Sequence, residues 1–213
     1  MAIIVDKIKV AYMPSPKVAC TSLKMMFYKI ENGVDFVPPI RNSVKFHIHG
    51  FYPTTPFRTV PTERMKDYYR ICVVRDPVKR LLSCYSNRVC FHKELNEGML
   101  SLEAVNSGAK PNPDLEDFVE RLEIYRKFSK SIAHHTDLQT NFIGRDKGFY
   151  SRVYQISELN ELRQDLSEHS DLELELPHAQ NGGPKVSIAD LSANALEKIR
   201  TFYREDYQCY QFE

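Results

Sequence analysis

The sequence has no excess of charge of either sign. Its 213 residues include 29 lysines and arginines against 28 aspartates and glutamates, so the formal net charge is +1 at pH 7. A chain that held nucleic acid mainly through bulk charge would need a strongly basic surface, and the balance excludes that class of protein. A local anion site remains open, because such a site requires only a few well-placed cations.

A long apolar run is also missing. The amino-terminal stretch MAIIVDKIKVAYMP is interrupted by Asp6, Lys7 and Lys9, so it holds no apolar segment of signal-peptide length. No stretch approaches the roughly 18 apolar residues of a membrane span. We therefore expect a chain without a membrane anchor and a cytoplasmic location.

Cysteine is sparse and follows no metal-binding or disulfide pattern. The five cysteines are Cys20, Cys72, Cys84, Cys90 and Cys209. Their odd number and the lack of CxxC spacing argue against a disulfide framework and against a structural zinc site. A reducing compartment fits this usage, and we expect no bound metal.

Strand-like and helix-like segments alternate along the chain. Apolar, β-branched runs predict buried strands at residues 8–13, 69–74 and 152–156. Helical patterns follow at 21–30 with Asn32-Gly33 as the stop, after Pro77, at 114–128, 131–142, after a cap at Ser157, and at about 193–203. Residues 34–66 and 92–113 are predicted to be irregular. The alternation predicts an α/β fold, a single domain over 1–213 with a mainly parallel central sheet flanked by helices.

The first strand-to-helix junction reads PSPKVACTSLK over residues 14–24. Lys17, Thr21, Ser22 and the free N–H groups of a helix start would together hold an anion. The position is that of a P-loop, but the GxxxxGK[ST] pattern fails because the loop contains no glycine. The alternative is a proline-terminated strand and a capped helix with an exposed lysine.

The second junction repeats this architecture over residues 75–88. Asp76 can cap the helix, Pro77 suits its first position, and its core face is formed by Val78, Leu81, Leu82, Tyr85 and Val89. Arg75 follows the end of a strand, where open α/β sheets bind ligands. Arg75 and Ser83 would therefore hold a second anionic group.

The remaining polar residues of this helix allow a plainer interpretation. Helical spacing puts Lys79, Ser83 and Asn87 on one stripe. For Lys79, Arg80 and Arg88 taken individually, a solvated basic helix face is the preferred interpretation.

The two junctions together resemble the cofactor signatures of sulfotransferases that use 3′-phosphoadenylyl sulfate (PAPS). The likeness is greatest to the carbohydrate group that includes the chondroitin and heparan sulfate 2-O enzymes, and it extends more weakly through HHTDLQTNFIG, RVYQISELNELRQDL and IRTFYREDYQCYQF. Two departures are Cys20, where many members carry Ser, and the missing Pro before Gln139.

The resemblance implies a role for each junction. The first would bind the 5′-phosphosulfate of PAPS through Lys17, Val18, Ala19, Cys20, Thr21, Ser22 and Lys24. Arg75 and Ser83 would bind the 3′-phosphate. Sulfuryl transfer is then an in-line displacement by an acceptor hydroxyl, with Lys17 stabilising the leaving phosphate oxygen and no metal required.

A general base must take the acceptor proton, and histidine is a common choice. The sequence KFHIHG offers His47 and His49, which share one side of an extended segment while Ile48 points away. The resemblance supports this pair, since the heparan sulfate 2-O enzymes use a comparable one. Surface histidines that only form hydrogen bonds are the alternative. The competing bases are His134 and His135, predicted at the start of the later helix, and His178.

A glycine-containing loop at residues 180–185 is the last candidate for the donor site. It lies where related enzymes close over the cofactor, and Lys185 could add charge there. A plain turn is an equally good interpretation.

The expected function is transfer of a sulfuryl group from PAPS to a hydroxyl of a glycan or another sizeable acceptor. The irregular segments would line the acceptor site, and their cations Arg41, Lys45, Arg58, Arg64 and Lys93 could meet an acidic sugar. A P-loop kinase-like enzyme and a nucleotide-binding module without turnover remain alternatives.

Overall fold

Six strands are present in the computed structural model, which describes residues 1–41, 43–177 and 182–212. They are β1 (Ile3–Val5), β2 (Val10–Met13), β3 (Ile40–Arg41), β4 (Val44–Lys45), β5 (Tyr69–Val74) and β6 (Arg152–Gln155). Four of them form a sheet in the order β1-β2-β5-β6, and β3 pairs with β4. The β2–β5 and β5–β6 pairs are parallel and β1–β2 is antiparallel. The predicted α/β fold with a mainly parallel sheet is confirmed.

Eleven α-helices accompany the strands in the described ranges. They are α1 (Cys20–Asn32), α2 (Ile48–Phe51), α3 (Pro77–Cys84), α4 (Leu102–Asn106), α5 (Leu115–Glu120), α6 (Leu122–Phe128), α7 (Lys130–Thr136), α8 (Thr140–Ile143), α9 (Leu159–Ser170), α10 (Ala193–Phe202) and α11 (Arg204–Cys209).

The chain forms two compact units, and the first contains the sheet. It comprises Met1–Val74, Gln139–Gln180 and Phe212–Glu213. In its core, the Tyr12 ring of β2 stacks on the Phe27 ring of α1 at a centroid distance of 5.1 Å. Helix α1 ends at Gly33, whose φ of +77° lets its N–H donate to Lys29 O at 2.7 Å. The predicted helix and its Asn-Gly stop are confirmed.

The second unit is helical and comprises Arg75–Leu138 and Asn181–Gln211. Helix α3 begins as predicted, since Asp76 accepts a hydrogen bond from the Lys79 N–H at 2.9 Å and Pro77 is the first helical residue. The predicted core residues are all buried: Val78, Leu81, Leu82, Tyr85 and Val89. Beyond α3 the chain continues as a wider π-helix from Tyr85 to Phe91. The prediction of a single domain over 1–213 stays a prediction.

Several sequence-based boundaries were wrong. The predicted helix at 114–128 is divided at Arg121, and the one at 131–142 ends at Thr136 and resumes at Thr140. Ser157 is no cap, because a reciprocal pair of hydrogen bonds between Gln155 and Glu158 opens that helical segment instead. The segments predicted to be irregular contain β3, β4, α2 and α4.

The prediction of a solvated basic face on α3 fails for two of its three cations. Arg80 is fully buried, donates hydrogen bonds to the carbonyls of His135 and Asp137, and lies over the Tyr203 ring. Arg88 pairs with Glu94 at 3.1 Å. Only Lys79 is exposed as expected. Helical spacing predicts the face of the helix on which a residue lies, but the long side chains of Arg80 and Arg88 reach partners elsewhere in the chain.

Replacing Arg80 with Met should therefore lower the free energy of unfolding by roughly 2–4 kcal/mol, since buried carbonyl acceptors lose their donor. Urea unfolding is the measurement. The matched control is Lys79→Met on the same helix, which should change the free energy by less than about 0.5 kcal/mol. Equal effects of the two substitutions would contradict a structural role for Arg80.

Candidate functional site

The first junction lies wholly in the first unit, and we call residues 14–24 the first cradle. Strand β2 ends at Met13 and helix α1 begins at Cys20. Between them, Lys17 and Ala19 adopt left-handed backbone conformations, with φ of +64° and +48°. Such a conformation costs an L-residue about 1–2 kcal/mol. Strain of this kind is concentrated at functional sites.

The strained turn leaves the helix start without a side-chain cap. Ala19 is the N-cap and has only a methyl group, and the first bond of the helix runs from Leu23 N–H to Ala19 O at 3.0 Å. The N–H groups of Cys20, Thr21 and Ser22 therefore have no acceptor within the helix. With the positive end of the helix dipole, they make the helix start electropositive, and the predicted anion site stays a prediction.

Two side chains of the first cradle are buried, one apolar and one polar. The Val18 side chain is buried in the core, so this residue offers a ligand only its backbone. Ser15 is 1% exposed, and its Oγ has no hydrogen-bond partner among the described residues. A buried hydroxyl without a partner is uncommon, and it suits a loop that receives a polar ligand.

A hydrogen-bonded chain connects the first cradle to His49. His49 Nε2 lies 3.1 Å from Thr21 Oγ1, and His49 Nδ1 lies 2.8 Å from Lys24 Nζ. Lys24 is fully buried and also donates to Thr54 Oγ1 at 2.7 Å. Burial lowers the pKa of Lys24 to about 8. Lys24 therefore contacts the imidazole of His49. The sequence did not predict this contact, and no motif around Thr54 indicates it.

His47 differs from His49 in both exposure and contacts. It is exposed and caps α2, and its Nδ1 accepts a hydrogen bond from the His49 N–H at 3.3 Å. The two rings stack with centroids 4.9 Å apart. The rings do share one side and Ile48 is buried, but the predicted extended segment was wrong, because His49 lies in the turn of α2.

The competing histidines are placed differently from the sequence prediction. His134 and His135 lie in the last turn of α7, not at its start. The His135 Nδ1 lies 2.8 Å from Ser131 O, so it must carry the proton, and Nε2 then accepts from Arg88 at 3.0 Å. His135 therefore has no lone pair left for a substrate proton. His178 lies outside the described residues.

The second junction lies wholly in the second unit. A cavity of about 820 Å³ is lined by residues of α3 and of the segments just before and after it, and by residues 184–189. The former are Arg75, Lys79, Leu82, Ser83 and, in the π-helix, Ser86. We call these residues the second cradle. Burial and the neighbouring Arg80 lower the pKa of Arg75. Because arginine nevertheless stays charged in proteins, a partly desolvated guanidinium of this kind favours an anionic ligand.

The loop at residues 182–185 contributes to the second cradle. Ser86 Oγ donates to Pro184 O at 2.6 Å, and Gly183 has a φ of +100°. A Cβ on Gly183 would lie 2.1 Å from Ser86 O, so only glycine fits. This close approach brings Lys185 to the cavity that Arg75 and Ser83 line. Gln180 and Asn181 lie outside the described residues.

The cations suggested for an acidic acceptor fall into two groups. Arg64 forms an ion pair with Asp6 at 2.6 Å. Lys45, Arg58 and Lys93 are exposed, while the side chain of Arg41 lies outside the described residues.

No helix among the described residues is long and apolar enough to cross a membrane, and no cluster of three metal-ligating side chains occurs among them.

Comparison with known proteins gives one result. The model described as "Sulfotransferase family" matches residues 1–213. Searches of curated proteins and of solved structures returned no match. The family match includes both cradles and the turn that carries His47 and His49.

Gly183→Ala should displace the loop that carries Lys185 and weaken the binding of adenosine 3′,5′-bisphosphate by roughly tenfold, the loss of one charged hydrogen bond. Isothermal calorimetry measures the affinity. The matched control is Gly182→Ala, whose Cβ would have ring atoms of the exposed Phe91 side chain as its three nearest neighbours, and which should bind normally. Unchanged affinity in Gly183→Ala would remove this loop from the binding site.

Proposed function

The chain belongs to the sulfotransferase family and is therefore a PAPS-dependent transferase, and from this premise we propose that it sulfates a hydroxyl of a glycan or another sizeable acceptor. The observation that carries the assignment of its site is the first cradle, where an uncapped helix start, Thr21 and His49 meet. The second cradle supports it with a cationic cavity around Arg75.

The residues present fit the donor. We assign the 5′-phosphosulfate to the backbone N–H groups of residues 18–22, with Lys17, Thr21 and Ser22. We assign the 3′-phosphate to Arg75 and Ser83, with Lys185 nearby in the same cavity. Arginine suits this role because its planar fork holds two phosphate oxygens at once.

When bound, PAPS supplies a sulfuryl group whose bond to a phosphate oxygen breaks as the acceptor oxygen attacks in line. Lys17 stabilises the negative charge that grows on the leaving oxygen, and the helix start adds fixed dipoles to it. Fixed donors of this kind require no reorganisation during the reaction.

We assign the general base to His49, whose Nε2 is 3.1 Å from the Thr21 hydroxyl and so lies beside the first cradle. His47 stacks on it and accepts its backbone N–H. In this proposal His47 orients the imidazole of His49, while His135, held by Arg88 and Ser131, takes no part.

Lys17→Ala should lower kcat by about 10²–10³, because one transition-state donor is lost, and should weaken the binding of both adenosine 3′,5′-bisphosphate and adenosine 5′-monophosphate, since each keeps the 5′-phosphate that loses a charged donor. Arg75→Ala should weaken the affinity for the bisphosphate by roughly 10–100-fold and leave binding of adenosine 5′-monophosphate unchanged, since only the 3′-phosphate loses its charged donor. Calorimetry measures the affinities, and transfer of ³⁵S from labelled PAPS to a panel of polysaccharides measures kcat.

The control for both variants is Lys147→Ala, an exposed lysine outside the cradles, which should behave as wild type. Full transfer by Lys17→Ala would overturn the proposal. Tight bisphosphate binding without transfer to any hydroxyl would favour a nucleotide-binding module, and magnesium-dependent ATP turnover would favour a kinase-like enzyme.

His49→Gln should reduce ³⁵S transfer by about 10²-fold or more and leave bisphosphate affinity unchanged, because glutamine cannot take the acceptor proton. His47→Gln should reduce transfer by less than about tenfold. A larger loss in His47→Gln than in His49→Gln would exchange the two roles.

A further inference from the structure

Lys24 faces the proposed base from a fully buried position. Its Nζ is 2.8 Å from His49 Nδ1 and 2.7 Å from Thr54 Oγ1. A charged ammonium has three donors and no acceptor, so Nδ1 must then accept and Nε2 must carry the imidazole proton. In that state both ring nitrogens of His49 are used, and neither can accept a proton from substrate.

A second physical constraint leads to the same conclusion. If His49 took a proton while Lys24 was charged, two cations would lie 2.8 Å apart in a buried region. Like charges at this distance oppose each other's formation strongly. His49 can therefore act as a base only when the Lys24 amine is neutral.

We propose that Lys24 is a positioning residue that switches His49 between a resting and a base-competent tautomer; this inference rests on the proposed function. In the base-competent state the neutral amine donates to Thr54 Oγ1 and accepts a hydrogen bond from Nδ1–H. Nε2 then carries no proton, and its lone pair faces the Thr21 side of the first cradle.

The protons balance among the acceptor hydroxyl, His49 and Lys24. The acceptor O–H bond breaks and an Nε2–H bond forms, while the Nδ1–H bond breaks and a new N–H bond forms on Nζ. The result is a neutral His49 beside a charged Lys24, which is the resting arrangement. Loss of one proton from Lys24 to solvent restores the base-competent state.

The titratable groups that contact Lys24 or interact with it electrostatically are the imidazole of His49 from α2, the thiol of Cys20 from its own helix and the amine of Met1. Burial is the main cause that lowers the pKa of Lys24, to about 8, and the Cys20 charge opposes it. Lys24 is thus charged below this pH and neutral above it, so transfer should rise with pH through about 8.

The test compares two substitutions that differ in charge. Lys24→Arg keeps a permanent cation that can only donate, so it should reduce ³⁵S transfer at least 50-fold at every pH from 6.5 to 9. Lys24→Gln removes the cation. Its transfer rate should vary less than about twofold between pH 7 and 9, whereas the wild-type rate should rise about tenfold, in proportion to the neutral fraction of an amine with a pKa near 8. The control is Lys29→Gln on the same helix, which should keep the wild-type profile.

A second readout needs neither donor nor acceptor. In the free chain labelled with ¹⁵N-histidine, the His49 signal, assigned with His49→Gln, should report Nε2–H at pH 6.5 and Nδ1–H at pH 9.5. In Lys24→Arg it should report Nε2–H throughout. A wild-type tautomer that does not change, or equal activity of Lys24→Arg and Lys24→Gln, would overturn the inference. Absence of transfer alongside the expected tautomer change would count against the proposed function alone.

Discussion

The constraint on which the site depends is the backbone conformation between β2 and α1. A chain that leaves a buried strand and begins a helix within six residues must turn sharply, and here Lys17 and Ala19 take the left-handed conformation that glycine usually supplies. The cost of that turn is offset by the burial of α1 against the sheet, where Leu23, Phe27 and Ile30 are fully buried. The uncapped helix start follows directly from the turn.

The role of each cation in this protein depends on its own surroundings. A net charge of +1 gives no general attraction for anions, yet cations occupy three distinct environments. Arg75 lines the cavity of the second cradle, Arg80 is buried as a structural donor to backbone carbonyls, and Lys24 is buried against an imidazole. The low dielectric of the interior makes each of the buried positions sensitive to what lies within about 3 Å of it.

Much of the fold could be predicted because its signals are local. The strand at 69–74, the Asp76 cap, the Pro77 start and the Gly33 stop depend on side chains within a few residues of each other. The errors occur where a distant partner decides. Arg80 leaves the expected solvent face because carbonyls near the end of α7 accept its hydrogen bonds. The wrong cap at Ser157 is a local exception, since Gln155 and Glu158 beside it form the reciprocal pair instead.

The sequence by itself determined the two junctions, the residue types in them and the α/β class, because helix caps, turn residues and apolar periodicity act over short distances. It also supplied the His47–His49 pair, but it could not rank the two. Only the tertiary structure distinguished their surroundings, since the packing of α2 against α1 brings His49 to Thr21 and Lys24 while His47 stays exposed. Hydrogen bonds between residues 25 to 30 positions apart produce no periodic pattern in the sequence. Burial, which sets the charge of Lys24, exists only in the folded state.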